Sequence, residues 1–129
     1  PSATQNEINA EEAAILIKNG VKVVAEAANM PCEQAAVEAF LEADVLFGPA
    51  KAVNAGGVGV SGLEMSQNSA RIAWDNEQLK TLLENMMKEI HDSCVKFGDT
   101  GGKNTNYLQG ANIAGFVKVA DAMIAYGHV

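Results

Sequence analysis

Apolar residues come in short compact runs over the first third of the chain and in long helical stripes over the rest. Asn9-Ala10-Glu11-Glu12 has the spacing of a capping box, and the alanine-rich run from Glu11 to Lys18 closes at Asn19-Gly20, which predicts a short helix. Val21, Val23 and Val24 follow at once as a β-branched segment that leaves through Ala27-Ala28-Asn29-Met30 and reads as a buried strand. Pro31 suits the first position of a second helix, where its missing N–H is no loss, and Ala35, Ala36, Ala39 and Phe40 give that helix an apolar stripe through Ala43. Val45-Leu46-Phe47 reads as a second strand.

Beyond Phe47 the pattern changes. The segment from Gly48 through Lys51, Asn54 and Gly57 is predicted to be a loop, and the remainder to be helical. A long helix is expected from Asn76 to Phe97, with Leu79, Leu82, Leu83, Met86, Met87, Ile90 and Cys94 along one face and Gly98 as its stop. Asp99-Thr100-Gly101-Gly102-Lys103-Asn104 makes a flexible connection to a last helix bearing Leu108, Ile113, Phe116, Val117, Ala120, Met123 and Ile124, ended by Gly127. Two helix–strand units followed by helices imply an α/β fold class, the late part of a doubly wound parallel sheet whose other strands lie upstream. The division expected is residues 1–55 as a partial α/β portion and 56–129 as a helical unit. The opening Pro1-Ser2-Ala3-Thr4, without methionine, fits a fragment of a longer chain. No internal repeat or low-complexity tract interrupts it.

With 129 residues, 48% of them hydrophobic, the chain has the composition of an ordinary globular domain. A formal charge of −7 sets it against nucleic acid and anionic membrane and favours a small-molecule partner. No apolar run approaches the roughly 20 residues of a membrane helix. Cys32 and Cys94 form neither a disulfide framework nor a metal motif, which agrees with a reducing cytoplasm and no metal.

Ligands of open parallel sheets collect at the carboxyl ends of the strands. Three segments lie at such ends: Ala3-Thr4-Gln5-Asn6, Ala28-Asn29, and Asn54 with the glycines after it. Amide side chains both donate and accept, which suits a carboxamide or a ribose hydroxyl; the same residues also serve as ordinary helix caps and turns. Asn54-Ala55-Gly56-Gly57-Val58-Gly59-Val60-Ser61 leads into a helix whose first N–H groups favour a carboxylate, with Ser61 either donating to that group or satisfying local backbone. His91-Asp92 has no further ligand at helical spacing and reads as solvated surface. Met65, Met86, Met87 and Met123 read as core filling, and Lys51 as a solvated loop lysine.

At these same places the sequence resembles the glutamate dehydrogenase family, within the group of amino-acid dehydrogenases that also act on leucine, phenylalanine and valine. The matching segments are Ala3-Thr4-Gln5-Asn6-Glu7, Ala28-Asn29-Met30-Pro31, Lys51 through Val58, Ser61-Gly62-Leu63-Glu64-Met65 and Gln109 through Phe116, which together span nearly the whole chain. The resemblance implies a Rossmann-type nucleotide-binding portion and reversible oxidative deamination of L-glutamate to 2-oxoglutarate and ammonia with NAD or NADP. Ser61 falls at the position that binds the substrate's side-chain carboxylate and Val58 at the one that packs on its aliphatic part. Ala3, Thr4, Gln5, Asn29 and Asn54 fall near the nicotinamide half of the cofactor. Ser2 stands where cysteine is frequent and Ala27 where glycine is usual. The family's catalytic lysine and aspartate, its substrate lysines and its glycine-rich cofactor turn all lie upstream, so the isolated chain is expected to be inactive. The parent is expected to be a cytoplasmic homohexamer, with the residues that choose NAD over NADP outside this chain. Two other readings stand beside it: a standalone helical interaction module derived from such an enzyme, and a leucine- or phenylalanine-type dehydrogenase.

Overall fold

The computed structural model describes residues 1–101 and 104–127. Gly102 and Lys103 of the expected flexible connection lie outside the described residues. The elements run α1 (Ala10–Lys18), β1 (Val23–Ala25), α2 (Gln34–Glu42), β2 (Leu46–Gly48), α3 (Ala50–Val53), α4 (Ala55–Ala70), α5 (Asn76–Gly98) and α6 (Tyr107–Tyr126). The architecture is mostly helical around a small parallel sheet.

Helix α1 starts where the capping box places it. The Asn9 side chain accepts from the Glu12 N–H at 3.0 Å and the Glu12 carboxylate accepts from the Asn9 N–H at 2.9 Å. Strands β1 and β2 pair in parallel, Val23 with Leu46, Val24 with Phe47 and Ala25 with Gly48, and α2 makes the crossover between them. The strands begin one to two residues later than their apolar runs do. Burial alternates along them: Val24 and Phe47 are buried, whereas Val23 is 55% exposed. The uniformly buried strand expected from the valine run is therefore half right, because only one face of the sheet is fully covered.

That covered face holds the core. Ala13 of α1, Ala36, Val37 and Phe40 of α2, and Val24, Val45 and Phe47 pack there with Cys32, and the Phe40 and Phe47 rings stack at 6.3 Å. Pro31 is fully buried but does not begin α2; the helix starts at Gln34 with Glu33 as its N-cap. Pro31 instead precedes a parallel bridge between Ile8 and Cys32, in which its carbonyl accepts from the Ile8 N–H at 3.0 Å. The preference of proline for extended backbone is used here for a third, one-residue pairing rather than for a helix start.

The segment Gly48–Gly57 is not one loop. It contains the single turn of α3, and α4 starts directly after Asn54. The longest helix, α5, carries a second capping box formed by Asp75 and Gln78 and runs through Gly98, the residue expected to stop it. Helix α6 lies against α5 through Gly110, where an added Cβ would meet the Cys94 carbonyl, while Gly115 faces open space. The first half of α6 is packed in this way. From Phe116 onward the helix is largely exposed, with Phe116 72% and Ile124 78% accessible. Met86 and Met87 of α5 are half-buried, but Met65 and Met123 are exposed and do not fill a core as expected.

Cys32 and Cys94 are both buried free thiols. Burial, followed by the charge and hydrogen bond of Glu26, pushes the Cys32 thiol from 9.0 up to about 12, and burial also raises Cys94. A raised thiol means that between pH 9.0 and about 12 the folded chain keeps a proton that the unfolded chain has lost. The contribution of Cys32 to stability is thus complete below that window and is lost as the pH rises through it. A maleimide at about pH 8 is expected to label neither cysteine in the folded protein and both after denaturation, because the reactive thiolate is suppressed and shielded. For packing, Gly110→Ala should destabilise by about 1–3 kcal/mol in urea unfolding by forcing α5 and α6 apart. Gly115→Ala, which meets nothing, should be neutral or stabilise by up to about 1 kcal/mol through helix propensity.

Candidate functional site

The carboxyl ends of β1 and β2 open onto three short segments, and the tertiary structure brings all three together. After β1, the backbone N–H groups of Ala27 and Ala28 donate to the Pro1 carbonyl at 2.9 and 3.4 Å, and the Asn6 N–H donates to the Met30 carbonyl at 3.0 Å. These bonds lay the segment Ala3-Thr4-Gln5 beside the segment Ala28-Asn29. Asn6 and Met30, which make one of them, both have left-handed backbone, with φ of 53° and 50°. The turn at residues 3–6 is closed by Glu7, whose carboxylate accepts from the Ala3 and Thr4 N–H groups at 3.2 Å each. Ala3, Thr4 and Gln5 are exposed on the surface so formed.

Asn54 joins the third segment to the other two. It sits at the junction of α3 and α4 and caps neither helix with its side chain. Its Nδ2 donates to Asn29 Oδ1 at 2.6 Å and to the Ala28 carbonyl at 3.3 Å. An asparagine before a helix more often caps it; this one forgoes the cap to form an amide pair across the strand ends. The bond leaves Asn54 Oδ1 as an acceptor and Asn29 Nδ2 as a donor, both without partners among the described residues. Ala27, which stands where the resemblance leads one to expect glycine, is exposed.

Val58 and Ser61 lie three residues apart on α4 and share one face. Both are exposed, Val58 at 74%. Because α4 begins at Ala55, Ser61 sits nearly two turns inside the helix. Its hydroxyl donates to the Gly57 carbonyl at 3.3 Å, a long bond that a better acceptor can displace. Two of the glycines before it, Gly56 and Gly59, serve packing. Gly56 lies in van der Waals range of Met87 and Leu83 of α5, and an added Cβ at Gly59 would strike Met86. Only Gly56 and Gly57 of the run stand in the first turn of α4, where N–H groups are available to an anion.

Sequence reasoning missed Glu26. It is 5% exposed and follows β1 directly, its Oε1 accepting from the Cys32 N–H at 3.2 Å and its Oε2 from the Ala50 N–H at 2.8 Å. The available signal was a single acid inside the apolar run Val23-Val24-Ala25-Glu26-Ala27-Ala28. Lys51 is not free either, since its ammonium donates to Asn112 Oδ1 on α6. His91 is exposed as expected, but its Nδ1 lies 3.1 Å from the Tyr107 hydroxyl, and burial raises the Tyr107 phenol above its ordinary value. That pair borders an apolar cavity of about 230 Å³ on the less covered face of the sheet, away from the strand-end amides. Among the described residues no group of three acidic, cysteine or histidine side chains could hold a metal ion, and no helix is long and apolar enough to cross a membrane.

Known proteins match this arrangement along nearly its whole length. An NADP-specific glutamate dehydrogenase of Salmonella typhi is 60% identical over 127 residues, covering 98% of this chain and 28% of the relative. An NAD(P)-specific glutamate dehydrogenase of Xylanibacter ruminicola is 57% identical over 127 residues, covering 98% of this chain and 29% of the relative. The solved glutamate dehydrogenase of Plasmodium falciparum superposes with a TM-score of 0.93 at 41% identity, over 100% of this chain and 28% of that one. The chain therefore spans under a third of the length of the relatives it matches. Residues 1–127 match the model of the glutamate/leucine/phenylalanine/valine dehydrogenases, and the chain belongs to that family.

Proposed function

We propose that this chain forms one wall of the active-site cleft of an NAD(P)-dependent glutamate dehydrogenase and contributes cofactor and substrate contacts but no catalytic residue. The observation that carries the reading is the Asn29–Asn54 amide pair, set at the carboxyl ends of parallel strands beside Ala3, Thr4 and Gln5. Residues 1–55 belong to a Rossmann-type dinucleotide-binding portion, and residues 56–129 are the helices that follow it.

The donor set fits a nicotinamide cofactor. Asn29 Nδ2 and Asn54 Oδ1, on two side chains bonded to each other, are neutral and unpaired among the described residues, which suits the donor and acceptor groups of a carboxamide or a ribose diol and requires no particular protonation state. The cofactor supplies the site that accepts or returns hydride. Around it, Thr4 and Gln5 add hydroxyl and amide groups, and Ala3 gives a small apolar surface. The relatives are named NADP-specific and NAD(P)-specific glutamate dehydrogenases, and this donor set suits the nicotinamide half that both cofactors share.

Val58 and Ser61 read the substrate. The exposed Val58 side chain offers an apolar patch for the methylenes, and Ser61, one turn further along the same face, offers a hydroxyl to the terminal carboxylate. A hydroxyl aimed at a carboxylate in a closed cleft selects against leucine-sized side chains, because it is left unpaired when they bind. Closure needs a second wall, and a parent more than three times as long as this chain has room for one. The same parent is the place for the groups that move protons, and we read it as a cytoplasmic homo-oligomer. Alone, the chain should neither oxidise glutamate nor bind cofactor tightly.

The test is reductive amination of 2-oxoglutarate by the full-length protein beside its Ser61→Ala variant. The kcat/KM for 2-oxoglutarate should fall about 10–100-fold, the loss expected for one hydrogen bond to a charged group. An unchanged kcat/KM would remove Ser61 from the substrate site, and turnover of leucine in place of glutamate would replace the proposed activity with that of a leucine-type enzyme.

A further inference from the structure

Glu26 is the one buried acid among the described residues, and its carboxylate hydrogen-bonds to neither side chain of the amide pair. Its two oxygens reach in two directions. Oε1 accepts the N–H of Cys32, at the far end of the segment that carries Asn29, and Oε2 accepts the N–H of Ala50, at the start of the turn that carries Asn54. The backbone N–H of Glu26 itself donates to the Gly48 carbonyl at 3.0 Å, which locks the base of this span to the end of β2. A single rigid anion thus ties together the two segments whose side chains meet at 2.6 Å.

We propose that Glu26 is a positioning residue for the cofactor amides, holding Asn29 and Asn54 at a fixed separation by accepting one backbone N–H from each of their segments. The proposal rests on the reading of those amides as cofactor contacts. The chemistry calls for a carboxylate. The groups facing Glu26, the two backbone N–H groups and the Cys32 thiol, are all donors, so an acceptor is needed at each end, and a glutamine of the same shape would turn its NH₂ toward one of them. Aspartate keeps the charge but is one methylene too short to span both.

The experiment measures the KM for NADPH or NADH, the KM for 2-oxoglutarate and the melting temperature in full-length protein carrying Asn54→Ala, Glu26→Gln, Ala50→Pro, or the last two together. Ala50→Pro deletes only the N–H that Oε2 accepts. Proline is at home at the first position of a helix, and Pro49 before it already has the extended backbone that a following proline requires. The expected result is a rise in cofactor KM of about 5–30-fold for Glu26→Gln and for Ala50→Pro, with the KM for 2-oxoglutarate little changed. The double variant should lose less than the product of the two, because proline removes the donor that the glutamine NH₂ would oppose. If Asn54→Ala raises the cofactor KM while Glu26→Gln and Ala50→Pro leave it unchanged, the positioning role is wrong and the cofactor site stands. If Asn54→Ala itself leaves the cofactor KM unchanged, the site reading fails and the role of Glu26 falls with it. Should Glu26→Gln not fold, Ala50→Pro decides alone: a raised cofactor KM supports the proposal and an unchanged one overturns it. A fall in melting temperature with both KM values rising together would mark Glu26 as structural only and also overturn it.

Discussion

Everything in this chain is arranged around one short parallel pairing, β1 with β2. Parallel strands cannot be joined by a tight turn, so the chain must leave the sheet and return, and α2 makes that return. Such strands also need both faces covered. One face is closed by α1 and α2, whose Ala13, Ala36, Val37 and Phe40 meet Val24 and Phe47 in the core. The other is approached by α5 and α6 but keeps an apolar cavity beside Val23 and Leu46. The same pairing aligns the strand ends, and that alignment brings Asn54 to Asn29 and the backbone of Ala50 to Glu26.

The helical half is assembled on a different principle. Where α4 and α6 meet α5, backbone approaches side chain or backbone through glycine, at Gly59 against Met86 and at Gly110 against Cys94. Close approach compensates for sparse burial, since α4 has no fully buried residue and α6 has only Gly110. Beyond those contacts the apolar faces remain open, with Val58, Met65, Phe116 and Met123 all exposed. These stripes look like core in sequence and face outward in the structure.

Local signals in the sequence located most elements well. The capping boxes at Asn9 and Asp75 and the stops near Gly20, Gly98 and Gly127 depend on bonds within a few residues, so their chemistry is visible in any short window. The misreadings share one cause. Pro31 was compatible with both a helix start and an extended bridge, and Ile8, twenty-three positions earlier, decided between them. The glycines after Asn54 were compatible with an anion-binding turn, and the side chains of α5 gave two of them a packing role as well.

The sequence by itself determined the order of helices and strands, the α/β character, the family, and the identity of the strand-end amides as the residues to watch. It could do so because periodicity, capping and motif spacing are short-range properties carried by neighbouring residues. Only the tertiary structure decided that Asn54 bonds to Asn29 instead of capping α4, that Lys51 binds Asn112, and that Glu26 is buried between two loops. Each of these depends on residues 24 to 61 positions apart. The physical reason is that a polar side chain with several acceptable partners takes the one the fold brings within reach, and that choice is absent from any local pattern.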